Sequence, residues 1–224
     1  RSYLNKKIED NKIQKIQNII NECNKKNDFN IQFFTNEPNA FNCFMAHYGK
    51  FENVSNYILL IGKKGENTEE KLGYYGAKIA LEAQCMGLNT CFVAMTYSKK
   101  KSPCKLKNNE KIYCAISIGY GKTEGIKHKS KSYDEVTEIK TEEKNWFKEG
   151  VNTALLAPTA MNQQKFKIIL NEDNGVSFKR GKGILTKMDI GIVKYHFEIG
   201  SGKQKKMDIS SSNVKPYNIF RETN

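Results

Sequence analysis

Apolar positions along the chain repeat with two periods. Ile13, Ile16, Ile20 and Cys23 fall at helical spacing, which predicts an amphipathic helix from about Lys6 to Lys25. Ile31 to Thr35 and Tyr57 to Gly62 read as strands. From Glu70 onward, apolar or small residues occur on nearly every helical face, as expected of a helix buried all round rather than lying on a surface. Gly87 stands where a left-handed helix end is expected, and Thr90 to Met95 reads as a buried strand. Lys111 to Gly119 is a further strand, and Ser130 to Glu143 is polar and linker-like. Trp146 to Leu156 reads as a helix, Phe166 to Leu170 and Val176 to Lys179 as strands, and Met188 to Ile199 as a last helix. Interspersed strands and helices predict an α+β fold, a mixed sheet flanked by helices; the strand order does not follow from the pattern.

Composition narrows the function classes. A chain of 224 residues suffices for one domain with a real core, or two small ones. The formal net charge of +13 invites a nucleic-acid reading. That class needs a clustered basic face and base-stacking aromatics, whereas the lysines here are spread along the chain among many asparagines. The densest runs are Ser98 to Lys101 and Lys127 to Lys131. The six cysteines show no C-x-x-C pair and no metal-ligand spacing. Cys85 and Cys114 lie in apolar elements, where Cys acts as a small hydrophobe, so reduced thiols in the cytoplasm are expected. His47, His128 and His196 stand apart from Asp and Cys partners, which supports neither a catalytic triad nor a zinc site. No run is long and apolar enough to span a bilayer. Arg1-Ser2-Tyr3 leads directly into a charged helix rather than a secretory segment, and residues ahead of Arg1 are expected because the chain begins without Met. Gly119-Tyr120-Gly121-Lys122-Thr123 imitates the end of a phosphate-binding loop, but Ile116 holds the place of its first glycine and no helix is predicted after it.

The stretch that carries candidate chemistry is Leu155 to Ile168. Pro158 fixes its own φ and pushes Ala157 out of the helix, so the chain must turn there. Thr159 and Asn162 can bond to nearby backbone or to a ligand, and Gln164 adds an amide. Taken alone, this is a helix end running through a polar turn into a strand. Ala157-Pro158-Thr159-Ala160-Met161-Asn162-Gln163-Gln164 nevertheless resembles the Ala-Pro-Ser-x-x-Asn-x-Gln segment of the FMN-dependent nitroreductase superfamily. A second stretch, Gly87-Leu88-Asn89-Thr90-Cys91-Phe92 after the apolar helix, is similar to that family's Gly-Leu-Gly-Thr-Cys-Trp. Asn89 and Phe92 replace the second glycine and the tryptophan. Asn tolerates positive φ better than most residues, and Phe keeps an aromatic.

The resemblance implies non-covalently bound FMN and a set of cofactor-binding residues. Arg1 and Ser2 match the family's N-terminal Arg-Ser, which holds the phosphate and ribityl chain; Leu4 departs from the expected basic residue. Val93, Ala94, Met95 and Thr96 match the backbone facing the flavin N5 edge. Lys129 and Lys131 match basic residues at the phosphate. Pro158, Thr159, Ala160, Met161, Asn162 and Gln164 belong to the Ala-Pro-Ser-like segment. Each set has a plain structural alternative: a frayed terminus, an ordinary buried strand, a solvated charge run, a polar turn. No catalytic side chain is implied, because the cofactor carries the redox chemistry. The implied reaction passes a hydride from NAD(P)H through the flavin to a nitroaromatic, quinone or similar acceptor.

The resemblance also gives meaning to a faint internal similarity between Lys71-Leu72…Glu82 and Lys187-Met188…Glu198. The chain resembles a compact branch in which two trimmed copies of the fold are fused, with pseudo-twofold halves at 1–140 and 141–224. The first lacks the Ala-Pro-Ser segment, with Asn36 to Lys50 in its place, and the second lacks the Gly-Leu-Gly-Thr segment. Complementary losses would leave one complete site per chain, as a monomer acting as a pseudo-dimer or as a homodimer. The alternatives are a flavin-binding sensor or carrier without turnover and, from a different class, a basic nucleic-acid-binding protein.

Overall fold

The computed structural model describes residues 1–123 and 125–202, so the end of the expected second half, 203–224, lies outside the described residues. Two compact units are present. One comprises Arg1–Thr68 with Lys78–Ile126, the other Glu69–Ala77 with Lys127–Asn224.

In the first unit, α1 (Asp10–Asn27) buries Ile16, Ile20 and Cys23, the stripe its spacing predicts. It begins at Asp10 rather than near Lys6. Tyr3 is still held in a strand-like bridge to Gly121, and Glu9 keeps the extended backbone of an N-cap. Strands β1 (Gln32–Phe34), β2 (Tyr57–Lys63), β3 (Asn89–Val93) and β4 (Glu110–Gly119) form an antiparallel sheet in the order β1-β2-β4-β3. Tyr57 through Ile61 are all fully buried, so both faces of β2 are covered and its sequence reads as an unbroken apolar run. Tyr57, Leu59 and Ile61 share a core with Phe41, Phe51, Val93 and Tyr97. The short helix α2 (Phe44–Tyr48) lies within the Asn36 to Lys50 stretch.

The apolar central helix is α3 (Thr68–Cys85), and Leu72 through Ala77 are buried without interruption. Its end is a Schellman motif: Gly87 has φ +75°, its N–H reaches the Gln84 carbonyl at 2.9 Å, and the Leu88 N–H reaches the Ala83 carbonyl at 3.0 Å. Asn89 needs no positive φ. It sits in β3 and accepts the Gly121 N–H at 2.8 Å. Cys85 is exposed at the last turn of α3, contrary to the expectation from its apolar neighbours, whereas Cys114 is buried.

The second unit holds a separate three-stranded sheet, β5 (Thr137–Ile139), β6 (Phe166–Leu170) and β7 (Val176–Arg180), with β5 parallel and β7 antiparallel to β6. The expected linker at Ser130 to Glu143 is thus partly structured. It contains α4 (Tyr133–Val136), closed by a capping box between Ser132 and Glu135, and then the edge strand β5. Helix α5 (Asn145–Ala154) packs on α6 (Thr186–Ser201), and Phe147 and Phe178 meet Phe197 edge-on at 5.8 and 5.4 Å. The first half of α3 crosses α6 where glycines remove the side chains. A Cβ on Gly191 would lie 1.9 Å from the Glu70 carbonyl oxygen, and one on Gly73 would lie 2.2 Å from that of Met188. Around the crossing, buried Lys194 pairs with Glu70, and Tyr74 donates to Glu198 at 2.6 Å. Burial, and then that bond, hold the Tyr74 phenol far above its usual range. Burial also lowers the pKa of His196, whose Nδ1 donates to the Ile192 carbonyl at 2.9 Å in the tautomer this contact requires.

Candidate functional site

Thr153 and Ala154 close α5, and Pro158 then turns the chain as its geometry dictates. The α5 helix stops at Ala154, two residues short of the expected Leu156, and the next residues finish on tighter bonds such as Leu156 N–H to the Thr153 carbonyl at 3.0 Å. Thr159 is extended and leads into a 3-10 turn, Ala160–Asn162. Within this turn Met161, Asn162 and Gln164 all adopt left-handed backbone, with φ +50°, +52° and +45°. Each such non-glycine residue costs on the order of 1–2 kcal/mol, and clusters of this kind persist where surrounding bonds over-determine them.

Those bonds come from two directions. Asp189, in the first turn of α6 and 6% exposed, accepts the Ala160 N–H at 2.9 Å on one carboxylate oxygen and the Gln163 amide at 2.8 Å on the other. Burial raises the Asp189 pKa, opposed by those same two bonds. From the other side comes the basic segment. Asn162 Nδ2 donates to the Lys129 carbonyl at 2.8 Å, and Lys131 donates its N–H to Gln164 Oε1 at 2.9 Å and its ammonium to the Gln164 carbonyl at 3.0 Å. Two sequence-predicted sets, Lys129 with Lys131 and Pro158 through Gln164, are therefore brought together. Thr159 Oγ1 accepts the Gln164 N–H at 3.1 Å, Asn162 is exposed, and Met161 is 77% exposed. Among the described residues, one of the two Asn162 amide protons finds an acceptor.

Asp189 and Gln163 were not singled out from the sequence, because no local pattern marks a carboxylate that meets its partner 26 residues away. Asp189→Asn replaces one acceptor by a donor facing Ala160 or Gln163. It is expected to lower the unfolding free energy by about 1–3 kcal/mol; a denaturant midpoint equal to wild type would show that the carboxylate does not hold the turn.

In the first unit, Arg1 and Ser2 are pinned rather than frayed. The Glu52 N–H donates to the Arg1 carbonyl at 3.1 Å, the Lys122 N–H donates to that of Ser2 at 2.9 Å, and the Tyr3 hydroxyl meets Ser117 at 2.8 Å. The Arg1 guanidinium donates to the Gly49 carbonyl at 3.2 Å and lies 5.6 Å from the Phe51 ring. The Ser2 hydroxyl donates to Glu52 at 2.6 Å. Strand β3 ends at Val93, earlier than the expected Met95, and Ala94 through Tyr97 form a bend. Among the described residues, the backbone N–H groups of Met95 and Thr96 find no acceptor. A half-buried bend with unspent donors suits a ligand heteroatom. Gly119 ends β4 and Gly121 follows it in an isolated bridge; among the described residues no helix starts before Tyr133, so the phosphate-loop imitation is only a strand end.

The sequence matches the family described as "Putative TM nitroreductase" over residues 1–201. The chain belongs to this family. Membership places it in an oxidoreductase class and agrees with its mixed α+β fold. A solved structure titled "putative nitroreductase" from Thermotoga maritima has this nitroreductase fold at TM-score 0.61, with 18% identity over 89% of this chain and 77% of that one. An FMN-dependent nitroreductase from Clostridium difficile is similar at TM-score 0.44, with 17% identity over 60% of this chain and 87% of that one. A NADH dehydrogenase/NAD(P)H nitroreductase structure from Bacteroides thetaiotaomicron, itself titled putative, gives TM-score 0.45 and 17% identity over 60% and 88% of the two chains. No curated protein matches the chain. Among the described residues of this nitroreductase family member, no helix is long and apolar enough to cross a membrane.

Whether the residues present fit a flavin phosphate can be judged from the basic segment itself. Lys129 is exposed and makes no ion pair among the described residues, and the neighbouring His128 has a buried Nε2 without a hydrogen-bond partner. An unspent ammonium fits an anion, and the His128 Nε2 joins it as a donor in the imidazolium form, because Nδ1 faces the Lys129 carbonyl at 3.3 Å. Buried orphaned nitrogens are uncommon in proteins.

Proposed function

We propose that this nitroreductase family member is an FMN-dependent oxidoreductase of the cytoplasm. The observation that carries the reading is the junction of Lys129 and Lys131 with the Pro158–Gln164 turn, which joins phosphate-type donors to a polar edge in the family's own segment. Lys129 would hold the phosphate by charge, and His128 as an imidazolium would add N–H donation from Nε2. Thr159, Ala160, Met161 and the second amide proton of Asn162 would meet the cofactor's polar rim. Within the first unit, the proposal extends to Arg1 and Ser2 as phosphate and ribityl contacts, and to Val93, Ala94, Met95 and Thr96, where the unspent backbone N–H groups of Met95 and Thr96 would donate to a ring heteroatom. A backbone donor is already fixed in place and needs no side-chain ordering when charge develops opposite it. Bound FMN would supply the two-electron chemistry between NAD(P)H and a nitroaromatic, quinone or similar acceptor. The fused-repeat account, with halves at 1–140 and 141–224 and one FMN per chain, is part of the same proposal.

The absorbance spectrum of the purified protein tests the cofactor, and anaerobic NAD(P)H tests the turnover. Expected are a flavin spectrum with FMN released on heating, bleaching on NAD(P)H addition, and recovery of the colour on adding a nitroaromatic or a quinone. A protein that holds no flavin and takes up no added FMN would overturn the proposal. Flavin that NAD(P)H does not bleach would leave a binding protein without turnover.

A further inference from the structure

Gln164 is 3% exposed, and its side chain is directed into the protein. Nε2 donates to the Lys129 carbonyl at 2.8 Å and to Asn162 Oδ1 at 2.9 Å, while Oε1 accepts the Lys131 N–H at 2.9 Å. An amide has two N–H donors, so both are committed. Its backbone is engaged as well, the N–H on Thr159 Oγ1 at 3.1 Å and the carbonyl on the Lys131 ammonium at 3.0 Å. One buried amide thus joins two segments separated by 33 residues. On one side is the left-handed turn. On the other, residues 125–132 carry no helix or strand, so their backbone depends on such bonds for its course. Lys129 stands exposed on that backbone, and beside it His128 keeps a buried Nε2 without a hydrogen-bond partner among the described residues.

We propose that Gln164 is a positioning residue: its buried amide latches the Lys127–Lys131 segment to the Pro158–Gln164 turn and so holds the cationic groups ready for a phosphate. The inference rests on the flavin reading above and adds that phosphate affinity is set through Gln164 without contact to it. The reason is entropic, since a cation on a fixed backbone has less freedom to lose on binding than one on a loose loop.

Two variants of the full chain test this. Gln164→Met keeps the length of the side chain and removes all its hydrogen bonds. Gln164→Glu keeps the shape and the acceptor for Lys131 but cannot donate to the Lys129 carbonyl. The first measurement is trypsin cleavage of flavin-free protein, with sites assigned by mass. The second compares equilibrium binding of FMN with that of riboflavin, which lacks the phosphate. Cleavage after Lys127, Lys129 and Lys131 is expected to accelerate about tenfold in both variants, with cleavage after Lys99 to Lys101 unchanged, and the preference for FMN over riboflavin is expected to fall by roughly the same factor. Unchanged cleavage overturns the latch. Equal losses for FMN and riboflavin overturn the phosphate role, because general loosening would produce that result. Wild-type protein that binds neither flavin overturns the proposed function and the phosphate role together, and the trypsin result then decides the latch alone. If Gln164→Met does not give a folded circular-dichroism spectrum, Gln164→Glu is scored by the same criteria.

Discussion

Gly191→Ala is expected to unfold the second unit at temperatures where the wild type is stable. The new methyl carbon would lie 1.9 Å from the Glu70 carbonyl oxygen and 2.8 Å from the Tyr74 backbone nitrogen. Both obstacles are main-chain atoms of α3, so no rotamer change can relieve them. The helices must separate, and that uncovers Leu72 through Ala77, which are buried in succession. Overpacking ordinarily costs 1–3 kcal/mol, and a backbone collision at a helix crossing belongs above that range, at about 3 kcal/mol or more. Thermal unfolding monitored by circular dichroism measures it. A midpoint within a few degrees of wild type would mean that the crossing is looser than the structure shows.

The second large effect concerns Glu70 and Lys194. The Lys194 side chain is 6% exposed and that of Glu70 is 24% exposed. Glu70→Ala removes a carboxylate from a buried ammonium, and the cost of such a deletion is mostly that of the charge left behind. About 2–4 kcal/mol is expected, below the top of the usual range because Glu70 is partly wet. Replacing both residues, Glu70→Leu with Lys194→Met, removes the charges together. It also sets a thioether near the Phe178 ring, which the ammonium now faces at 5.5 Å. The double variant should unfold within about 1 kcal/mol of wild type. If the double variant loses as much as Glu70→Ala, the pair contributes specific geometry rather than compensated charge. Urea denaturation of the three proteins decides.

How much of this was legible in the chain depends on the range of the interactions involved. Local periodicity placed Phe166 to Leu170, the all-round burial expected of α3 holds for Leu72 through Ala77 while Glu82, Gln84 and Cys85 in its last turn are exposed, and Gly87 marked a real Schellman end. These features rest on contacts within a few residues. The capping box of Ser132 and Glu135 was equally local and sufficed to predict a helix start at α4, but the polarity of Ser130 to Glu143 masked it. The strand β5 was hidden for a different reason. It is an edge strand whose Glu138 and Ile139 are exposed, so no apolar alternation betrays it. The candidate site divides in the same way. The turn at Pro158 is written in its own residues, whereas the role of Asp189 depends on a partner 26 residues away and the Glu70–Lys194 pair spans 124. Cys85 shows the limit of composition: apolar neighbours in sequence did not place it inside, because it falls on the last turn of its helix.

The division of α3 has a consequence for how the polypeptide is made. Its residues Glu69–Ala77 belong to a unit otherwise built from Lys127 onward, and they pack on α6 at Thr186–Ser201. On a ribosome, the apolar first half of this helix emerges more than a hundred residues before the helix that buries it. Throughout that interval it is a sticky surface of the kind that chaperones recognise. Nor can a gene cut at Ile126 yield two self-sufficient proteins, since the later fragment would lack a helical segment that only the earlier one encodes.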